Sequence, residues 1–231
     1  MSDAGKYEPP QEAAGDAAHA VVCAGLSAIP GIGGPAVELL NWLITPPLER
    51  RRVRWMEEVG ESLRQLEQKR GVEIEALGQD EAFVDTVMHA SHAAMRNSQE
   101  EKRSALRNAV LNAALPEAPE ASLRQMFIGW IDDLTVWHLR ILKLFENPTS
   151  WAERHDIQYP GAFSRSLAQI LEAAIPEMRG RRSIYDQVWQ DLNQRGLVNT
   201  PSLQGMMAAD GALARRTTDL GDAFLRFIEE P

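Results

Sequence analysis

The sequence predicts a mainly α protein, a helical bundle followed by a small C-terminal module, and three observations predict it. From Asp80 to Leu115 the residues Val84, Val87, Met88, Ser91, Met95, Ser98, Lys102, Ala105, Leu106, Ala109 and Ala113 recur three or four apart, with no Pro or Gly among them. That is helical spacing carried by good helix formers. Glu120 to Glu146 is more apolar still, with Leu123, Phe127, Trp130, Ile131, Leu134, Trp137, Ile141, Leu142 and Phe145, and it stops at Asn147-Pro148, an expected boundary. No alternating strand pattern supports a βαβ unit.

Composition narrows the function classes. The chain has 231 residues, 44% of them apolar, and a net charge of −9, enough apolar content for a proper core. The acidic balance argues against a surface built for nonspecific adhesion to nucleic acid or anionic lipid. The single cysteine, Cys23, excludes an internal disulfide and suits a reducing compartment. No signal-peptide pattern opens the chain, so the predicted location is the cytoplasm, with a peripheral membrane position left open.

Taken in order, residues 1–16 are small, polar and Pro-containing and read as a disordered tail. Residues 17–44 are apolar, with Glu38 and His19 their only polar charges, and Pro30-Gly-Ile-Gly-Gly-Pro35 divides them into two arms of roughly ten residues, about half a membrane span. The arginines Arg50, Arg51, Arg52 and Arg54 follow directly. Val21, Val22, Leu26, Ile29, Ile32, Leu39, Leu40 and Trp42 are therefore candidate contacts, either for a partner protein and the bundle core or for a membrane. The Gly-rich turn lacks the Gly-Lys-Ser/Thr ending of a phosphate loop.

Pro46-Pro47 is predicted to start a helix from Leu48 to about Arg70, with Met56, Val59, Leu63 and Leu66 as its seam and Gly71 as its end. The Asp80–Leu115 helix is apolar at both ends but polar all round at Arg96–Arg103. It should pack on different neighbours at each end, with Asn97-Ser98 the place for a kink or short break. Together, 17–147 reads as one helical-bundle domain.

Residues 160–230 read as a second unit. A short helix at 164–175 precedes Arg179-Gly-Arg181-Arg182, and Ser183 is placed to cap a helix from Ile184 to Arg195 that Gly196 closes. A loop at 199–216 with a strand near Leu213–Arg215 leads to Thr217-Thr218, which caps a last helix from Asp219 to Glu229. This order is that of a winged-helix-like module, with 199–216 as the wing.

Gly196-Leu197-Val198 followed by Thr218-Asp-Leu220-Gly221-Asp-Ala-Phe224-Leu-Arg-Phe227-Ile228 is similar to the tail of many bacterial winged-helix proteins. With the helical region before it, the layout resembles the Abi-alpha family, bacterial proteins associated by name with abortive phage infection. The motif covers the last fifty residues or so, and layout alone covers the rest. The resemblance implies a role in defence or regulation and carries over no catalytic residue.

If the module read DNA, helix 184–195 would enter the major groove with Gln187, Gln190, Asn193 and Gln194 toward base edges. Arg179, Arg181, Arg182, Arg195, Arg215 and Arg216 would contact phosphates or a partner, while Asp186 and Asp191 oppose that reading. His89 and His92 share a helix face, with His138 and Asp132 or Asp133 as distant third ligands, which is too little for a metal site. No catalytic, cofactor-binding or metal-ligating set is predicted, and no enzyme. The predicted function is a non-catalytic interaction or regulatory protein of a bacterial cell, acting through protein contacts or self-association. A winged-helix DNA-binding regulator and a membrane-associated protein using 17–44 are the alternatives.

Overall fold

The computed structural model describes residues 35–159, 161 and 163–231, with backbone alone for 35–40 and Pro46. The predicted tail 1–16 and the candidates Val21, Val22, Leu26, Ile29 and Ile32 lie outside the described residues. The described chain is mainly helical, with one two-stranded sheet.

Helix α1 runs from Pro35 to Arg70, a single 36-residue helix of about 54 Å. The Pro46-Pro47 pair therefore does not start the helix but lies inside it. Two prolines deny donors to the carbonyls of Trp42 and Leu43. Both residues are exposed, at 73% and 60%, so water can serve those oxygens and the helix continues. Gly71, at φ +68°, stops it in the left-handed region that glycine adopts without penalty.

Two side-chain bonds from α1 to the bundle fix its direction. Arg51 donates to the Met95 carbonyl, and Trp55 Nε1 donates to Ser91 Oγ at 2.9 Å. Four residues forward on α1 match four residues back on helix α3, Glu81–Arg96, so the two run antiparallel. The inward face carries Trp55, Val59 and Leu66, whereas Met56 is 49% exposed. The seam thus begins one residue earlier than the predicted one: from Trp55 to Val59 and on to Leu66 is the spacing that keeps one side of a straight helix.

A short α2 (Ile74–Leu77) connects to α3, which Asp80 caps by accepting from Ala82 N. The long predicted helix is in fact two, α3 and α4 (Glu100–Ala113), with Asn97 and Gln99 in extended backbone between them. The apolar Glu120–Glu146 stretch also divides, into α5 (Ala121–Asp133) and α6 (Val136–Glu146), with Leu134 and Thr135 extended.

One set of polar contacts ties the two breaks together. Asn97 Nδ2 donates to Asp132 Oδ1 at 2.8 Å, Arg96 pairs with the same carboxylate, and the Lys102 ammonium donates to the Asp132 carbonyl at 2.6 Å. Past the second break, the Thr135 N–H donates to His138 Nδ1 at 3.1 Å. Each break exposes backbone groups that a helix would have satisfied internally, and these side chains replace the lost partners.

After α7 (Pro148–His155), strand β1 (Ser164–Ser166) leads into α8 (Leu167–Ala174), a 3-10 turn (Pro176–Met178) and α9 (Arg182–Gln194). Ser183 lies within α9, one residue past its start, rather than capping it. Strand β2 is Met206–Ala208, not Leu213–Arg215; it pairs antiparallel with β1, Ser164 opposite Ala208 and Ser166 opposite Met206. A short α10 (Ala209–Ala212) and an isolated antiparallel bridge between Val198 and Thr217 precede α11 (Asp219–Ile228). Thr218 caps α11, accepting from Gly221 N at 3.0 Å.

Among the described residues one apolar core runs from Trp55 to Ile228 and takes side chains from both 55–147 and 160–230. Phe224 and Phe227 of α11 meet Phe127 of α5 at 5.3 and 5.7 Å between ring centroids, and Phe145 of α6 meets Trp189 of α9 edge-on at 4.9 Å. Asn108 donates to the Ile228 carbonyl at 3.0 Å, and Asn112 to the carbonyls of Phe227 and Glu229 at 3.0 and 2.8 Å, so α4 holds the end of α11.

Candidate functional site

Two arginine-bearing regions and one buried polar junction hold the chemistry-bearing side chains. The first region is the N-terminal half of α1. Leu39 and Leu40 lie in its helical backbone, and Trp42, Leu43, Ile44 and Leu48 are exposed at 73%, 60%, 49% and 41%. Successive helical residues point about 100° apart, so these four spread over about 240° of the circumference, and half-buried Asn41 and Thr45 take the rest. A turn further on come Arg50, Arg51, Arg52 and Arg54, offset only by Glu49, which pairs with Arg52 at 3.2 Å.

Where α1 passes the α3–α4 break, Pro47, Arg50, Arg51, Arg54, Ser98 and Arg103 line an open recess of about 210 Å3. Arg51 and Arg103 are largely withdrawn from solvent; Arg103 pairs with Glu100, but its Nε is buried with no acceptor. Arg50 and Arg54 make no hydrogen bond or ion pair among the described residues. The run 50–54 was legible in sequence. Arg103 was not, because nothing local links it to residues about fifty positions earlier; its place in the polar stretch 96–103 was the available signal.

The second region holds the six C-terminal arginines, and the structure does not bring them to one face. Arg179, Arg181 and Arg182 sit before and at the start of α9, while Arg195 sits at its far end, about 18 Å away along a 13-residue helix. Arg215 and Arg216 belong to the turn before α11. Most are committed to internal acceptors. Arg179 donates to the Glu172 carbonyl at 2.9 Å, Arg182 to Asp186 at 3.2 Å, and Arg195 to the Asp191 carbonyl at 3.5 Å. Arg215 pairs with buried Asp222, and Arg216 donates to the Gly211 carbonyl. On α9, Asn193 is held by the carbonyls of Val198 and Thr200, and Gln187 by Asp191 at 2.7 Å. Gln190 and Gln194 remain exposed.

The buried junction contains Lys102 and His138. Burial lowers the Lys102 ammonium from its usual 10.5, against the nearby carboxylates Asp132 and Asp133. Burial also holds His138 below 6.5, with Asp191 opposing the shift. Because His138 Nδ1 accepts from Thr135, Nε2 carries the hydrogen of the neutral ring and donates to Asp191 Oδ2 at 3.3 Å. Every polar partner in this junction bridges two helix ends, which is an architectural task.

His89 and His92 are both exposed on α3, apart from buried His138, and no group of three or more metal-ligating side chains occurs among the described residues. Among the same residues, no helix is long and apolar enough to cross a membrane. Comparison with protein-family models, with curated proteins and with solved structures finds no match to this chain.

Proposed function

We propose that this is a non-catalytic protein that attaches to an anionic membrane surface through the N-terminal half of α1 and acts through contacts made there. One observation carries the reading: Trp42, Leu43, Ile44 and Leu48 lie exposed over about two thirds of a helix's circumference, more than one side of it, directly before four arginines. A partner protein covers one side of a helix, whereas a lipid phase accepts apolar groups on every side. Tryptophan and arginine suit the boundary, the indole at headgroup depth and the guanidinium beside phosphate. The net charge of −9 makes a local basic belt more informative, since the rest of the chain is acidic. The resemblance to the Abi-alpha family supplies the setting, defence of a bacterial cell against phage.

The strand–helix–helix order of β1, α8 and α9, followed by the Val198–Thr217 bridge, supports reading the C-terminal part as winged-helix-like. Five of its six candidate arginines already have acceptors within the chain, which favours a packing role over DNA binding.

The test is flotation with vesicles of neutral phosphatidylcholine containing about a third phosphatidylglycerol, a charge density at which basic segments bind. The wild-type chain should float, and a Trp42→Glu, Leu43→Glu, Ile44→Glu triple variant should stay at the bottom with unchanged helicity. A wild-type chain that does not float overturns the proposal.

A further inference from the structure

We propose that the recess formed by Arg50, Arg51, Arg54 and Arg103 is a binding site for the phosphomonoester headgroup of a membrane lipid; this rests on the membrane reading above and adds a ligand to it. Four arginines from two elements line a recess of about 210 Å3, well above the roughly 10–15 Å3 of such volume that one water needs. That is ample for a tetrahedral oxyanion.

Like charges gathered this closely repel unless an anion sits among them, and the protein supplies few. Glu100 pairs with Arg103 and Glu49 with Arg52, whereas Arg50 and Arg54 have no partner among the described residues. Arg103 keeps a buried Nε without an acceptor. Its guanidinium therefore has donor capacity that Glu100 leaves unused. Buried donors of this kind are costly to leave unpaired.

The arginines themselves favour phosphate, because the first turn of α4 carries Glu100 and Glu101 and its N-terminus adds no free positive charge. Guanidinium groups bind phosphate oxygens in pairs, and a phosphomonoester near neutral pH carries more charge than the single charge of a phosphodiester. The source follows from position: Leu48 precedes Arg50 by two residues, and Trp42 to Ile44 lie about 10 Å further along the same helix. Acyl chains against the apolar tip would leave a headgroup at the recess.

The experiment compares vesicles of phosphatidylcholine alone, with phosphatidylglycerol, and with phosphatidic acid, the last two matched in surface potential, alongside inorganic phosphate in solution. Phosphatidic acid should bind about tenfold more tightly than phosphatidylglycerol. Arg103→Gln and, separately, the exposed pair Arg50→Gln with Arg54→Gln should each remove that preference. The pair serves as the control for folding, since neither side chain is buried.

Equal affinity for the two anionic lipids overturns the headgroup site while leaving membrane attachment standing. A preference that survives both sets of variants also overturns it, by placing recognition elsewhere. If vesicles of every composition fail while inorganic phosphate binds in an Arg103-dependent way, the recess serves a soluble phosphate and both the lipid source and membrane attachment are refuted. Failure of every probe refutes both readings together.

Discussion

The first and last described helices treat their side chains in opposite ways. In α11, Phe224, Leu225, Phe227 and Ile228 are all buried, and Asp222 is 8% exposed while held by Arg215 and Thr217. In the first half of α1, Trp42, Leu43, Ile44 and Leu48 face solvent, and the side chains of Arg50 and Arg54 have no partner among the described residues. One helix is spent on stability; the other retains interaction capacity that the fold does not use. Arginine makes the contrast sharpest. Arg215 and Arg216 close internal contacts, whereas Arg50 and Arg54 border an open recess.

Gly221→Ala should break the α11 side of this comparison most severely. An added Cβ would lie 2.3 Å from the Leu197 carbonyl oxygen and 3.3 Å from Thr217 Cβ. Neither the backbone oxygen nor buried Thr217 can yield easily, so the loss should be about 3 kcal/mol. Urea denaturation measures it; an unchanged midpoint would show that the two segments slide freely.

Asp222→Ala comes next. It leaves the buried Thr217 hydroxyl without its acceptor and the Arg215 guanidinium with the longer contact to Asp219 at 3.9 Å, for a loss of about 2 kcal/mol. The Arg50→Ala, Arg54→Ala pair should stay within about 0.5 kcal/mol of wild type. Equal losses in the two variants would erase the distinction between committed and free arginines.

A smaller effect separates the interior from both helices. Because burial holds folded His138 below 6.5, the unfolded chain takes up a proton first as pH falls past 6.5. Stability is therefore present above that value and declines below it, by at most about 1.4 kcal/mol per pH unit from this one group. His138→Gln keeps an acceptor for Thr135 and should flatten that part of a stability–pH profile. An unaltered slope would assign the acid sensitivity to other groups. Smallest of all, Trp42→Ala should leave thermal stability within about 0.5 kcal/mol of wild type, since a 73% exposed indole contributes little to the core. A marked loss would mean that the α1 tip is structural.

These contrasts explain what could be read in advance. Local signals served well: Gly71 and Gly196 adopt φ of +68° and +70°, Thr218 caps its helix, and the chain breaks at Asn97 as the polar stretch implied. The α5–α6 break was not legible. Asp132 to Thr135 contains no Gly or Pro, and the break is held by Lys102 and, through His138, by Asp191, from positions distant in sequence. Hydrophobic spacing carries no record of such partners. Strand β2 was missed because three residues, Met206 to Ala208, are too few to show an alternation. For the site, the run Arg50–Arg54 was visible, but a recess requires Arg103 to arrive from another helix.

The asparagines of α4 also set a schedule for synthesis. Asn108 and Asn112 wait for backbone carbonyls of residues 227–229, so on the ribosome α4 emerges more than a hundred residues before its partner. Through that interval the α11-facing side of α4 lacks its native partner, and the Phe127 ring lacks Phe224 and Phe227. That part of the core closes only once the 219–229 segment has been made.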